Sequence, residues 1–263
     1  MTKVKIISGW SNPGGSTVAF INLCNLLNER GIECAFYGPH EWHMEKCRAD
    51  FMENAKVGEE GEILICHFLK FPFRPQGSKK VILACHEKDI FPVKDIVPFW
   101  DDIVFVSESQ KEWHGVNGKV IPNVISDLVA PEVPLLGLPA GVIGSIDRNK
   151  NTHLSIERAI EQGYDKIYLY GLVTDQEYYD EHVKFYVTDG VVEIMGHMDD
   201  KQAMYNSVSK VYHSSASETF NFVKAECEAT GTLYDGLESA ESGAEYWTKS
   251  QILKAWKEVM GIE

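Results

Sequence analysis

Residues 141–160, GVIGSIDRNKNTHLSIERAI, read as a strand, a turn carrying Arg148 and Lys150, and a helix that opens at Asn151 or Thr152. Cations beside a helix N-terminus suit a diphosphate, because the unpaired N–H groups and the helix dipole both favour negative charge there. A solvated basic turn would look the same. Residues 214–226, SSASETFNFVKAE, follow another strand and place Glu218 and Glu226 eight positions apart. On one continuous helix these carboxylates would stand about 12 Å apart along the axis and about 80° apart around it, fit for one to meet a sugar and the other a ribose. Ordinary helix decoration gives the same spacing. Residues 9–16, GWSNPGGS, join a strand to a helix through glycines, Gly14 and Gly15 among them, that let backbone N–H groups approach a phosphate or sugar. This loop is not a G-x-G-x-x-G fingerprint, and the strand expected at 34–37 ends without an acidic residue to hold a ribose. His86 follows a strand expected at 81–85, where a neutral structural histidine is equally at home.

Metal chemistry has little support in the sequence. His40, His43 and Cys47 come nearest to a ligand cluster and lack a fourth member. No Asp-x-Asp occurs, which disfavours a metal-bridged diphosphate. The six cysteines form no Cys-x-x-Cys pair and read as reduced core residues.

The elements that must position these groups alternate between short apolar runs and helical patterns, the signature of βαβ units around parallel sheets. Strands are expected at 4–8, 34–37, 63–66, 81–85, 103–106 and 119–121. A helix is expected over 16–30, with Ser16 as N-cap and Gly31 as stop. Pro131, Pro134 and Pro139 crowd one stretch that can continue neither helix nor central strand, which marks a domain boundary. Beyond it strands are expected at 142–144, 166–170, 191–195, 210–213 and 232–234. Helices are expected at 152–162, 176–183, 201–208, 220–229 and near 245–259. The fold class is therefore α/β: two Rossmann-like doubly wound domains, 1–132 and 133–245, facing a cleft at the carboxyl ends of their strands. A final helix within 246–263, with Ile252, Leu253, Trp256 and Val259 on one face, is expected to return to the first domain.

Composition bounds the function. The chain has 263 residues, 44% of them hydrophobic and 24% charged, values of a globular protein rather than a disordered one. A formal charge of -14 argues against nonspecific coating of nucleic acid, whose affinity comes from neutralising phosphates. No apolar run approaches the roughly 18 residues of a membrane span, and the first residues lack an export signal. An integral membrane segment is not expected, and a cytoplasmic location is.

The order of several segments resembles the retaining, family 4 type glycosyltransferases of the GT-B fold. The matching pieces are the Gly14-Gly15 loop, ACHEKD around His86, FVSESQKEW, VIPNVIS, GSIDRNKN, the run from IMGHMDD to SSASETF, and the Glu-x7-Glu pair. The resemblance implies a nucleotide-sugar donor, UDP- or GDP-linked, as substrate, with no cofactor and no metal. It implies that Lys150 clamps the donor diphosphate, that Gly15 lies near the phosphates, and that His86 touches the transferred sugar. It also implies that Glu218 meets sugar hydroxyls, that Glu226 binds the ribose, and that the backbone around Phe220, Asn221 and Phe222 meets the donor. The family usually carries an arginine where this chain has Ser145, which leaves Arg148 to supply a second cation, and a glycine where it has Asn221.

The implied reaction is metal-independent transfer with retention, by front-face attack of an acceptor hydroxyl beside the departing phosphate. Glu218 would position the sugar, and positive charge would stabilise the leaving diphosphate. The acceptor is not legible: a glycan, a small molecule, a protein or a modified base in DNA all fit, and the oligomeric state is equally hidden. Two other readings stay open, a nucleotide-sugar epimerase of the same fold and a transferase that has lost turnover and only binds.

Overall fold

The computed structural model describes residues 3–9, 14–38, 49–51, 60–67, 77–88, 93, 99–132 and 135–262. The chain divides into two compact units, Met1–Ile125 with Gly243–Glu263, and Ser126–Ser242. The division precedes the proline stretch expected to mark it at 132/133. Residues just after 125 already belong to the second unit: Leu128 packs on its core, and the Val129 backbone exchanges two hydrogen bonds with the Gln202 amide, at 2.9 and 3.0 Å.

Unit 1 is built from β1 (Lys3–Ser8), α1 (Gly15–Glu29), β2 (Glu33–Gly38), β3 (Ala49–Phe51), β4 (Ile63–His67), β5 (Lys80–Cys85), β6 (Asp102–Phe105), α2 (Glu108–His114) and β7 (Lys119–Val120). Its strands form one parallel sheet in the order β3-β2-β1-β4-β5-β6-β7. Both faces are buried, so the strands read as unbroken apolar runs whose alternate residues serve opposite cores. Ile63, Ile65, Ile82 and Ala84 join Phe20, Leu23 and Leu27 of α1 on one face, while Leu64, Cys66, Val81, Leu83 and Cys85 join Trp100 and Phe105 on the other. Inside this sheet the Lys5 ammonium meets the Glu62 carboxylate at 2.8 Å, each buried charge compensating the other.

Unit 2 runs through β8 (Ala140–Ile143), α3 (Thr152–Glu161), β9 (Ile167–Tyr170), α4 (Gln176–His182), α5 (Lys184–Thr188), β10 (Val192–Gly196), α6 (Lys201–Asn206), β11 (Lys210–His213), α7 (Phe222–Thr230) and β12 (Leu233–Gly236). Its strands are again all parallel, in the order β10-β9-β8-β11-β12. One core gathers Val142, Ile156, Ala159 and Leu169, the other Tyr170, Met204, Tyr205, Val211 and Cys227. The chain then ends in α8 (Lys249–Met260), which belongs to unit 1: Ile252, Trp256, Val259 and Met260 are buried against Phe20 and Leu27, with Leu253 packed at the margin.

Cap chemistry accounts for several shifted boundaries. Ser16 lies inside α1 and Gly14 holds the N-cap, in extended backbone with φ -175° and without a side-chain cap. The last helix starts at Lys249 rather than 245 because Thr248 and Gln251 form a reciprocal capping box. The helix expected from 220 starts at Phe222, because Asn221 Oδ1 accepts the Lys224 N–H at 2.9 Å and caps it. Strand β3 and helices α2 and α5 were not expected; all three are short, the longest being the seven residues of α2. The described cysteines are buried thiols. His40, His43 and Cys47 lie outside the described residues. No helix among the described residues is long and apolar enough to cross a membrane.

Trp256 is 4% exposed and closes the core that joins α8 to α1. Trp256→Ala is expected to destabilise the protein by about 3–5 kcal/mol in urea unfolding, whereas the exposed Trp113→Ala is expected to cost less than about 1 kcal/mol.

Candidate active site

In unit 2 the strand order reverses at β8: β9 and β10 lie to one side, β11 and β12 to the other. Segments leaving β8 and β11 therefore start at the topological switch point of the sheet, the place where open α/β sheets hold ligands. Both segments singled out by residue type leave the sheet at this point.

The segment after β8 is held in a fixed course. Asp147 accepts the Ser145 hydroxyl at 2.6 Å, the Lys150 N–H at 2.9 Å and the Thr174 hydroxyl at 3.1 Å. Gly171, at the end of β9, must be glycine: a Cβ there would stand 1.8 Å from the Gly144 carbonyl oxygen. Asn151 takes a left-handed conformation, φ 45°, and its amide donates to the Ser214 carbonyl at 3.2 Å. From the loop after β11, Ala216 N–H donates to the Asn149 carbonyl at 2.7 Å. The loop after β8 and the loop after β11 are thus tied by their backbones.

This tie brings Lys150 and Glu218 together. The Lys150 Nζ is 2.5 Å from Glu218 Oε1, and His213, the last residue of β11, places Nε2 3.1 Å from the same oxygen. Burial alone would raise the Glu218 carboxyl; the His213 hydrogen bond and the Lys150 charge overcome it and hold the group at about 2. Glu218 is therefore a permanent carboxylate at neutral pH, an acceptor of hydrogen bonds and not a general acid. A quarter of the Lys150 side chain remains exposed beside the N-terminus of α3.

The other expected residues have different surroundings. Arg148 points to α4, where Asp175, Glu177 and Glu181 hold its guanidinium at 3.2, 3.1 and 3.7 Å. Glu226 is 2% exposed; Lys201 takes one carboxylate oxygen and the Tyr205 hydroxyl the other, at 2.9 Å. Because α7 begins at Phe222, Glu218 stands in the preceding loop, and the separation computed for two carboxylates on one helix does not apply. Asn221 is an internal brace: its amide donates to the Tyr234 hydroxyl and the Ala240 carbonyl, at 2.8 and 2.9 Å, and its N–H meets Ser242 Oγ at 3.4 Å. Phe220 is buried, with its ring 4.9 Å from that of the half-buried Phe222, over which Lys201 lies. In unit 1, Gly14 and Gly15 are exposed at the start of α1. His86 is packed 4.4 Å from the Phe20 ring, and burial, then the neighbouring His67, hold its imidazole well below the usual value, so it is neutral.

Sequence reasoning missed His213, Lys201 and Tyr205. His213 carried a signal, since it closes a strand five residues before Glu218. Lys201 and Tyr205 lie one helical turn apart on α6, and only the packing of α6 against α7 brings them to Glu226.

No protein-family model matches the chain, and no curated protein matches its sequence. Solved structures do match its fold. HepE of Anabaena, in complex with UDP-glucose, superposes with a TM-score of 0.69 at 14% identity, covering 90% of this chain and 80% of that one. AviGT4, a glycosyltransferase involved in avilamycin A biosynthesis, gives 0.63 at 16% identity over 98% and 92%. A glycosyltransferase from Rickettsia africae gives 0.63 at 12% identity over 99% and 89%. The chain has two parallel α/β sheets in the fold of GT-B glycosyltransferases.

Two predictions follow from the site's ionic contacts. Lys201→Met strands the buried Glu226 carboxylate and is expected to cost about 3–5 kcal/mol of stability, most of it regained in the double variant with Glu226→Gln. Glu218 lies at about 2 in the folded chain against an ordinary 4.5, so its stabilisation is present above that ordinary value and lost as pH falls through about 2. Glu218→Gln is expected to flatten the acid limb of a stability-against-pH curve over that range.

Proposed function

We propose that the chain is a retaining glycosyltransferase that takes a nucleotide-sugar, UDP-linked in preference to GDP-linked, and transfers its sugar to an acceptor hydroxyl without a bridging metal. The observation that carries this reading is the Lys150–Glu218–His213 cluster at the point where the second sheet reverses its strand order. The bound UDP-glucose of HepE, a protein of the same fold, supports the choice of uridine donor.

Lys150 faces a choice of anions. Unliganded, it holds Glu218; a diphosphate beside the α3 N-terminus offers more negative charge and takes the ammonium. Glu218 keeps His213 as a partner and, being ionised, accepts hydrogen bonds from sugar hydroxyls. In the reaction the bond from the anomeric carbon to the diphosphate breaks with its electron pair leaving on phosphate. Lys150 and the first N–H groups of α3 stabilise that charge. Arg148 has no part in this account, because α4 holds it. Glu226 acts through its neighbours: with Lys201 and Tyr205 on its oxygens it braces α6 against α7. The same contacts favour one second reading, a protein that binds donor without turnover. It would bind UDP-sugars and release no UDP with any acceptor.

A thermal-shift screen of UDP-, GDP-, ADP-, CDP- and TDP-sugars, followed by calorimetry, tests the proposal. UDP-sugars are expected to give the largest shift, and Lys150→Ala to weaken UDP binding by at least about tenfold, the worth of one charge-assisted hydrogen bond. Unchanged affinity in Lys150→Ala would sink it.

A further inference from the structure

Two donors share one atom in the unit 2 cluster. Glu218 Oε1 meets the Lys150 ammonium at 2.5 Å and His213 Nε2 at 3.1 Å, and the Glu218 and His213 side chains are 13% and 4% exposed. All three residues belong to the same compact unit. Because a carboxylate only accepts, Nε2 carries a proton, and the second ring nitrogen, Nδ1, is the one that can gain or lose one. Among the described residues no hydrogen bond engages Nδ1.

The charges around the ring decide what it can do. Lys150 comes from the loop after β8 and Glu218 from the loop after β11. From β12, Tyr234 brings its ring to 6.4 Å, but burial pushes that phenol far above neutrality and it carries no charge. From α3, Arg158 donates to the hydroxyl of Ser214, next in the chain, at 3.4 Å; Asp235 holds both that guanidinium and Lys210. From α7, Glu226 is held by Lys201 and Tyr205, and burial keeps the Cys227 thiol protonated. Unliganded, the Lys150 ammonium balances Glu218, and its charge on the same oxygen opposes a second positive charge on the ring. Without that ammonium, a buried carboxylate faces a ring that can supply the missing charge.

We propose that His213 takes up a proton when the donor diphosphate draws Lys150 away, so that donor binding and proton binding are coupled through Glu218; this rests on the glycosyltransferase reading. The proton passes from solvent to Nδ1, the ring becomes an imidazolium, and the charge lost from Oε1 is replaced through Nε2. His213 thus acts as a positioning residue that keeps Glu218 ionised and in place while the donor is bound. When the nucleoside diphosphate leaves, Lys150 returns to Oε1 and the proton goes back to solvent. The complex holds more protons than the free protein and donor, so donor affinity falls as pH rises.

Calorimetric titration of UDP-glucose at about pH 7.5 in Tris and in HEPES tests this, because the two buffers give different heats per proton and a diphosphate diester has no group of its own that titrates there. The wild type is expected to take up about half a proton or more per donor bound, and its affinity to fall several-fold from about pH 6.5 to about pH 8.5. His213→Gln, whose amide still donates to Oε1, and Glu218→Gln, which needs no counter-charge, are each expected to bind UDP-glucose with no uptake and no such fall. No uptake in the wild type, or release instead, overturns the proposal. Uptake that persists in His213→Gln places the proton on another group and overturns it too. Should His213→Gln fail to fold, uptake that persists in Glu218→Gln overturns it equally, and its loss there supports it. A wild type that binds no UDP-sugar in any buffer would instead overturn the glycosyltransferase reading, and this inference with it.

Discussion

The contact on which this account turns is the pairing of Lys150 with Glu218, 2.5 Å apart across the reversal point of the second sheet. His213 and the Lys150 ammonium together hold the buried Glu218 carboxyl ionised against the cost of its burial. The pair preserves a cation for an incoming phosphate and an ionised acceptor for hydroxyls, and it stores both in one place. The surrounding structure serves that arrangement. Asp147 folds the turn that carries Lys150, His213 supports Glu218 from the strand end, and the close backbone approach at Gly171 fixes where the turn begins.

Each sheet concentrates its polar chemistry where its strand order reverses. This follows from connectivity: successive βαβ units packed outward in one direction and then the other bring the carboxyl ends of the two central strands to one switch point. In unit 2 the loops after β8 and β11 carry the cation and the carboxylate. In unit 1 the ends of β1 and β4 carry Ser8 and His67, behind Glu87. The two clusters differ in kind. The first is an ion pair that a ligand can open; the second is a braced carboxylate with a buried hydrogen-bond chain behind it.

Much of the fold was legible because both sheets are parallel and their central strands are covered on both faces, which writes those strands as short apolar runs. The strand expected at 210–213 is β11, and the face of Ile252, Trp256 and Val259 seats α8 on α1. Helices α2 and α5 escaped because α2 buries only the polar Gln110 and His114 and α5 spans only five residues, so neither shows an apolar period. The candidate site was legible where residue type alone limits the chemistry, as at Lys150 and Glu218. It was not legible where a side chain has competing partners. Arg148 looked like a second cation because the acidic face of α4, with Glu177 and Glu181, lies about thirty positions away in sequence. Glu226 looked available because Lys201 and Tyr205 sit on a different helix. The eight-residue spacing from Glu218 misled further, since the Asn221 cap ends the loop before α7 begins.

The central claim is that Glu218 and a diphosphate compete for one ammonium. Calorimetric titration of UDP and of uridine into wild type and Glu218→Gln tests it most directly, because uridine carries no phosphate. The account predicts that UDP binds several-fold more tightly to Glu218→Gln, in which Lys150 no longer has an anionic partner, while uridine binds both proteins alike. UDP binding that is unchanged or weaker in Glu218→Gln would contradict it.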